Sequence, residues 1–186
     1  MKEIIRCGWC EKDDLYREYH DKEWGKPVYD DETIFEFLVL ESFQAGLSWY
    51  TILKKRPSFE QAFDQFDYKK IALYNDDKIE ELMNNVGIIR NRLKILATIN
   101  NAKLFMEVQQ EFGTFSKYIW GFVEGKPIEN KRETLKDVPA TTPISDALAK
   151  DLKKRGFKFL GTTVVYAHMQ ATGMVNDHLE SCSFRS

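Results

Sequence analysis

The chain has 186 residues, 43% hydrophobic and 30% charged, and a formal net charge of −2, enough length for one well-buried core. A near-neutral balance excludes a protein that holds polyanions through its bulk field, so only a local basic face would do so. With no apolar leader, no uncharged run of bilayer length and three cysteines, the chain is expected to be cytoplasmic, off the membrane, and free to use thiols for metal chemistry rather than disulfides.

Residues 1–29 read as irregular and densely aromatic, with Trp9, Tyr16, Tyr19, Trp24 and Tyr29. Asp30, Asp31 and Glu32 then cap a helix whose apolar residues, Ile34, Phe35, Phe37, Leu38, Val39 and Leu40, cover most of its circumference. A helix apolar all round is buried. Glu41 follows directly, and a carboxylate there must be paired, protonated or at work on a ligand. The helix ends in Gln44-Ala45-Gly46-Leu47-Ser48-Trp49, where glycine stops it and a leucine and a tryptophan follow. An acid, an aromatic and a protruding aliphatic so close together suggest a pocket beside a wedge. A salt bridge from Glu41 to a core-edge arginine is the competing reading.

Trp49 to Lys55 is expected to form a short helix stopped by Pro57. Ser58 to Phe66 is expected to form another, with Phe59, Ala62, Phe63 and Phe66 on one face, and Asp67 to Leu73 a further turn or two. Asp76-Asp77 caps a helix bearing Ile79, Leu82 and Met83. The pattern breaks over Asn84 to Ile89, and a long helix resumes near Arg90. Helix, short glycine-containing turn, helix is the outline of a hairpin. Free amides at Gly87 and Ile88, beside Arg90, Arg92 and Lys94, suit a phosphate, although a plain helical hairpin with a solvated basic end has the same outline. Phe115 to Phe122 reads as helix, Gly125 to Pro143 as a long surface connection, Ser145 to Arg155 as an amphipathic helix with a basic outer face, and Thr162 to Gly173 as a last apolar helix. The architecture expected is all-α. The basic run from Lys150 to Lys158 fits either a DNA backbone or a solvated helix face.

His178 and Cys182 lie four apart near one end, and Cys7 and His20 near the other. Two thiolates and two imidazoles suit tetrahedral zinc in a closed, structural site that ties the chain ends together. Cys7-x2-Cys10 is an alternative pairing by spacing. His168 sits on an apolar face, as a core histidine would.

Cys7-Gly8-Trp9, Tyr19-His20-Asp21-x-Glu23-Trp24-Gly25, Glu41-x2-Gln44-Ala45-Gly46-Leu47-Ser48-Trp49, Arg155-Gly156-Phe157-Lys158-Phe159 and Asn176-Asp177-His178 stand in one order. Together they resemble the 3-methyladenine DNA glycosylase I family, of the bacterial constitutive type, from Cys7 to Cys182. The resemblance implies a helix-hairpin-helix glycosylase fold and monofunctional excision of 3-methyladenine from double-stranded DNA by a monomer. It implies one structural zinc held by Cys7, His20, His178 and Cys182, which leaves Cys10 and His168 out. It also implies that Glu41 and Tyr19 read the flipped base, that Trp9, Tyr16 and Trp49 line the pocket, and that Gly46 and Leu47 enter the duplex. Gly87, Ile88, Arg90 and Lys158 are the further expected DNA contacts, and Glu41 is the expected catalytic residue, reading the base rather than activating water. Within a single unit over 1–186, residues 30–110 would carry the pocket helix and hairpin, and 1–29 with 111–186 the zinc.

Two departures stand out. The wider superfamily's hairpin reads like Leu-Pro-Gly-Val-Gly, whereas this one is Val86-Gly87-Ile88-Ile89-Arg90. The catalytic aspartate common in that superfamily some twenty residues on is missing, the region being Phe105-Met106-Glu107-Val108-Gln109, as in the resembled family itself.

Overall fold

The computed structural model describes residues 3–185 and is built almost wholly of helix. Nine α-helices are present among the described residues: α1 Asp14–Lys22, α2 Asp31–Gln44, α3 Trp49–Ala62, α4 Tyr68–Ile71, α5 Asp76–Asn84, α6 Arg92–Phe112, α7 Phe115–Trp120, α8 Pro143–Lys154 and α9 Thr162–Ala171. Strands β1 (Ile128–Glu129) and β2 (Val175–Asn176) pair in parallel, Ile128 against Val175.

Helix α2 is the centre. Ile34, Phe35 and every residue from Phe37 to Phe43 are buried, and the helix packs against α3, α6, α7 and α9. Its start is doubly fixed. Asp30 accepts a hydrogen bond from the Thr33 amide at 2.9 Å, an N-cap worth about 1 kcal/mol. Asp31 accepts from the Phe115 and Ser116 amides, at 2.9 and 2.8 Å, and so caps α7 as well. Around α2 the rings of Phe35, Phe43, Phe59, Phe63, Phe105 and Phe115 are fully buried in one core cluster. A smaller cluster of Tyr19, Phe37, Leu53 and Ala171, with Trp9, Tyr16, Trp24 and Trp49 packed on it, lies where α1, α2 and α3 meet.

Three expectations are corrected here. Residues 1–29 are not irregular throughout: Asp13 caps α1 through the Tyr16 amide, and Tyr16, Tyr19 and His20 fall on one helical face. Helix α3 runs through Pro57 rather than stopping before it. The lost hydrogen bond and ring clash cost about 3 kcal/mol, but continuing the helix buries Phe59 and Ala62 on the side that already buries Ile52 and Leu53. That burial outweighs the break. The Gly125–Pro143 connection holds β1, whose two residues were too few to show a period of two. Helix α5, the turn 85–91 and helix α6 follow one another, with Asn75 and Asn91 as caps. His168 is a core residue, its Nε2 3.2 Å from the Ile34 carbonyl. No helix among the described residues is long and apolar enough to cross a membrane.

Candidate active site

Helix α2 brings Glu41 to the floor of a cavity of about 340 Å³, and four of the aromatics picked out above, Trp9, Tyr16, Tyr19 and Trp49, line it. The wall is made by packing rather than by loops. Tyr16 and Tyr19 project from α1, Trp49 opens α3, and Trp9 comes from the short helical turn Gly8–Cys10. Trp9 meets Tyr16 edge-on at 4.9 Å between centroids and Trp24 at 5.0 Å, while Tyr19 lies 5.5 Å from Trp49. Rings at these separations stabilise one another and leave π faces turned to the space between.

Glu41 is 3% exposed, and its Oε2 has no hydrogen-bond partner. The Nε1 of Trp49 is the other buried side-chain polar atom left without one among the described residues. Both belong to residues lining the same cavity. Buried polar atoms are normally satisfied, so an orphaned acceptor and an orphaned donor around one void mark where a polar ligand fits. The core-edge arginine that might have neutralised Glu41 is engaged elsewhere: Arg56 bonds Glu36 and Glu23, each at 2.7 Å. Burial alone pushes the Glu41 carboxyl up to about 8, which favours its protonated form at neutral pH. Burial, with the Glu41 charge adding to it, also holds the Tyr19 phenol well above its usual value.

Gln44, Trp24, Leu135, Val138, Ala167, Gln170 and Asp177 complete the lining and were missed as site residues. Asp177 accepts from Asn130, Arg132 and Gln170, each at 2.9 Å, and from the Tyr166 hydroxyl. Its oxygens are therefore occupied, and the Arg132 guanidinium pairs with its charge, which makes it a fixed structural member of the wall. The Asn176-Asp177-His178 motif was the available signal, but it had been read for its histidine. No lysine among the described residues lines the cavity.

Behind the Trp9–Trp24 wall, Cys7, His20, His178 and Cys182 are all buried, with their ligating atoms within 4.8 Å of one another. The Cys182 sulfur lies 3.4 Å from His178 Nδ1 and 3.6 Å from His20 Nε2, and the Cys7 sulfur 3.7 Å from His178 Nδ1. Ligands on a tetrahedral zinc sit about 3.3–3.8 Å apart, so the group fits such an ion. The outer contacts fit as well. His20 Nδ1 meets Asp21 at 2.7 Å, His178 Nε2 meets the Trp24 carbonyl at 3.1 Å, and the Leu179 amide donates to the Cys7 sulfur. Cys10 stands apart, its thiol donating to the Cys7 carbonyl at 3.0 Å.

Beyond the cavity, Gly46 turns the chain at φ +79° and leaves Leu47 41% exposed between two residues of the cavity wall, Gln44 and Trp49. In the hairpin turn the Gly87 and Ile88 amides both bond Asn85, and the Ile88 side chain is in the core. Arg90 is exposed and has no side-chain partner among the described residues, whereas Arg92 pairs with Glu80. Lys158 is exposed on a loop whose backbone Asn101 grips twice, donating to the Lys158 carbonyl and accepting from its amide, both at 2.9 Å.

Comparison with known proteins agrees with this geometry. The profile of the methyladenine glycosylase family matches residues 9–186. The DNA-3-methyladenine glycosylase 1 of Escherichia coli K12 is 48% identical over 177 residues, covering 95% of each chain. The DNA-3-methyladenine glycosylase of Haemophilus influenzae is 50% identical over 95% of this chain and 96% of its own. A structure of 3-methyladenine DNA glycosylase I from Staphylococcus aureus, solved for 3-methyladenine recognition, superposes with a TM-score of 0.94 at 38% identity, over 100% of this chain and 98% of the other. By sequence and by fold, the chain belongs to the methyladenine glycosylase family.

Proposed function

We propose that this protein is a DNA repair glycosylase that flips 3-methyladenine out of alkylated duplex DNA and hydrolyses its N-glycosidic bond. The observation that carries the reading is the unpartnered Glu41 carboxylate facing a void walled by indole and phenol rings. A base must leave the stack before an enzyme can reach it, at a cost of a few kcal/mol. Leu47 is placed to fill the gap, with Gly46 giving the backbone room to approach the duplex. Alkylation at N3 makes the adenine cationic and its bond to the sugar weak. Aromatic faces favour that cation by on the order of 1–2 kcal/mol when it is desolvated. A cation in the cavity also favours the ionised form of Glu41, whose carboxylate then accepts hydrogen bonds from the base edge. Neutral adenine gains from neither effect, so selection and catalysis have one cause. Glu41 reads the base and stabilises the positive charge, so no strong general acid is called on to expel a base that already leaves readily. With no lysine in the cavity to form a Schiff base, hydrolysis without strand cleavage is the outcome.

The DNA-facing parts follow the same logic. With the Gly87 and Ile88 amides already spent on Asn85, their part is to shape the turn, and Arg90 is the hairpin's charged phosphate contact. Lys158 supplies a second one. The region 30–110 carries wedge and hairpin, 1–29 with 111–186 carries the metal ligands, and the cavity draws its lining from both; the protein acts as a monomer. The Cys7, His20, His178 and Cys182 group holds a zinc ion that supplies no chemistry to the base and braces the wall through Trp24 and through Tyr19, the neighbour of His20.

Incubation with methylated duplex DNA and chromatography of the supernatant tests the function directly. Free 3-methyladenine should appear, and Glu41→Gln should slow its release and weaken binding of the free base. Methylated DNA bound without base release would identify a damage-sensing module instead.

A further inference from the structure

Lys94 is buried, 6% exposed, and has no carboxylate within ion-pair distance among the described residues. Its ammonium donates instead to two backbone carbonyls, Phe43 at 3.0 Å and Ala45 at 3.1 Å. Those carbonyls end α2, where helix carbonyls have no partner inside the helix and the dipole is negative. A cation there normally comes from the helix's own last turn, but α2 has no basic residue in its last turn. The cap is supplied by α6, from across the core. Beyond it the chain has little else to fix it. Leu47 donates to the Gln44 carbonyl at 2.7 Å, Gly46 meets nothing within 4 Å of where a Cβ would stand, and Ser48 starts α3. The Lys94 amide is itself held by Asn91, the cap of α6, directly after the hairpin turn. One residue thus joins the start of the hairpin's second helix to the base of the loop that presents Gly46 and Leu47.

We infer that Lys94 is a positioning residue for duplex entry, clamping the end of α2 so that Leu47 stands out at a fixed distance from the hairpin before DNA arrives. The inference rests on the proposed role of Leu47 as the wedge. Lys94 touches neither base nor DNA. Without it the Ala45–Ser48 segment has several conformations, and duplex binding must select one of them. Most of the cavity, Glu41 with the rings of α1 and the residues of α9, lies outside that segment.

The test compares Lys94→Met, Lys94→Arg, Leu47→Ala and the Lys94→Met/Leu47→Ala double variant. Two readouts are taken: affinity for free 3-methyladenine from tryptophan fluorescence, and single-turnover release of base from methylated duplex. Lys94→Met is expected to slow release by about 10- to 100-fold, the range that misplacing a group by an ångström produces, with free-base affinity within twofold. Lys94→Arg, which keeps two donors, should recover most of the rate. The double variant should be no slower than Leu47→Ala, because both changes remove one function. Unchanged release in Lys94→Met overturns the inference, as does free-base affinity falling in step with the rate, or a double variant whose losses multiply. If Leu47→Ala releases base at the parental rate, the wedge reading itself fails and the inference falls with it. Should Lys94→Met not fold, Lys94→Gln, uncharged and shorter in reach than lysine, takes its place under the same criteria.

Discussion

Glu41 couples recognition to stability. Its carboxyl is raised from 4.5 to about 8 by burial, so between those values the folded chain binds a proton that the unfolded chain has released. Stability from this group is complete below about pH 4.5 and is lost as the pH rises towards about 8. At pH 7 the loss reaches up to about 3 kcal/mol, an upper limit because water in the cavity solvates part of the charge. Glu41→Gln should therefore melt higher than the parent at pH 8, and thermal denaturation across pH should find that margin shrinking towards pH 5. Catalysis has the opposite slope. If the carboxylate is the working form, kcat/KM for methylated duplex should rise up to about pH 8 and level off, while Glu41→Gln gives a low profile without that limb. A parental profile that falls over the same range would remove the carboxylate from the mechanism. Glu41 and Trp49 were legible in the sequence because an acid directly after an apolar run, with an aromatic close behind it, is an anomaly of pattern, whereas Tyr19 was singled out only through the family resemblance. Gln44 and Gln170 break no pattern, and only the packing of α2 against α9 brings them to one cavity.

At the level of elements, sequence reading succeeded where one force dominates and failed where two compete. Helix α2 was readable because capping, hydrophobic run and terminating glycine agree. Proline at 57 and the buried face of α3 disagree, and local propensity gave way to tertiary burial. Helix α1 was obscured because its aromatics serve the cavity as well as the core. The turn after α9 is set by a backbone approach invisible in sequence. Gly173 has φ +68°, and a Cβ there would stand 2.3 Å from the Lys26 carbonyl carbon and 2.4 Å from the Pro27 nitrogen. Neither is the flexible end of a side chain, so the segment after Trp24 would have to move. Gly173→Ala should cost about 3 kcal/mol or more by denaturant unfolding. Gly121→Ala, at φ −58° with nothing within 4 Å, should be neutral or stabilise by about 0.4–1 kcal/mol. Equal effects at the two positions would refute the close-approach argument.

Across the whole molecule, the chain ends meet over a sequence separation that no periodicity reports; only the residue types Cys, His, His and Cys hinted at it. Cys7 and His20 enter from before and within α1, and His178 and Cys182 from the turn after β2, so an ion shared by all four closes a loop nearly as long as the chain. Four protein ligands leave no position for substrate or water, which separates a brace from a catalyst. If zinc is present at about a thousand times its dissociation constant, its binding adds about 4 kcal/mol to the folded state, equivalent for a chain of this size to about 8–16 °C in Tm. Cys182→Ser should lose the metal and fall by that order. Cys10→Ser, buried but outside the group, should keep the metal and fall far less. Chelation of the parent should bring its Tm down to that of Cys182→Ser and open both chain ends to protease before the core built on α2 yields. Base release, measured well below the lowered Tm, should weaken only as far as the wall of Trp9, Tyr16 and Tyr19 loosens, so the rate and the affinity for free base should fall together. A chelated enzyme that binds free 3-methyladenine as tightly as the parent yet releases no base would make the metal part of the chemistry and overturn its assignment as a brace.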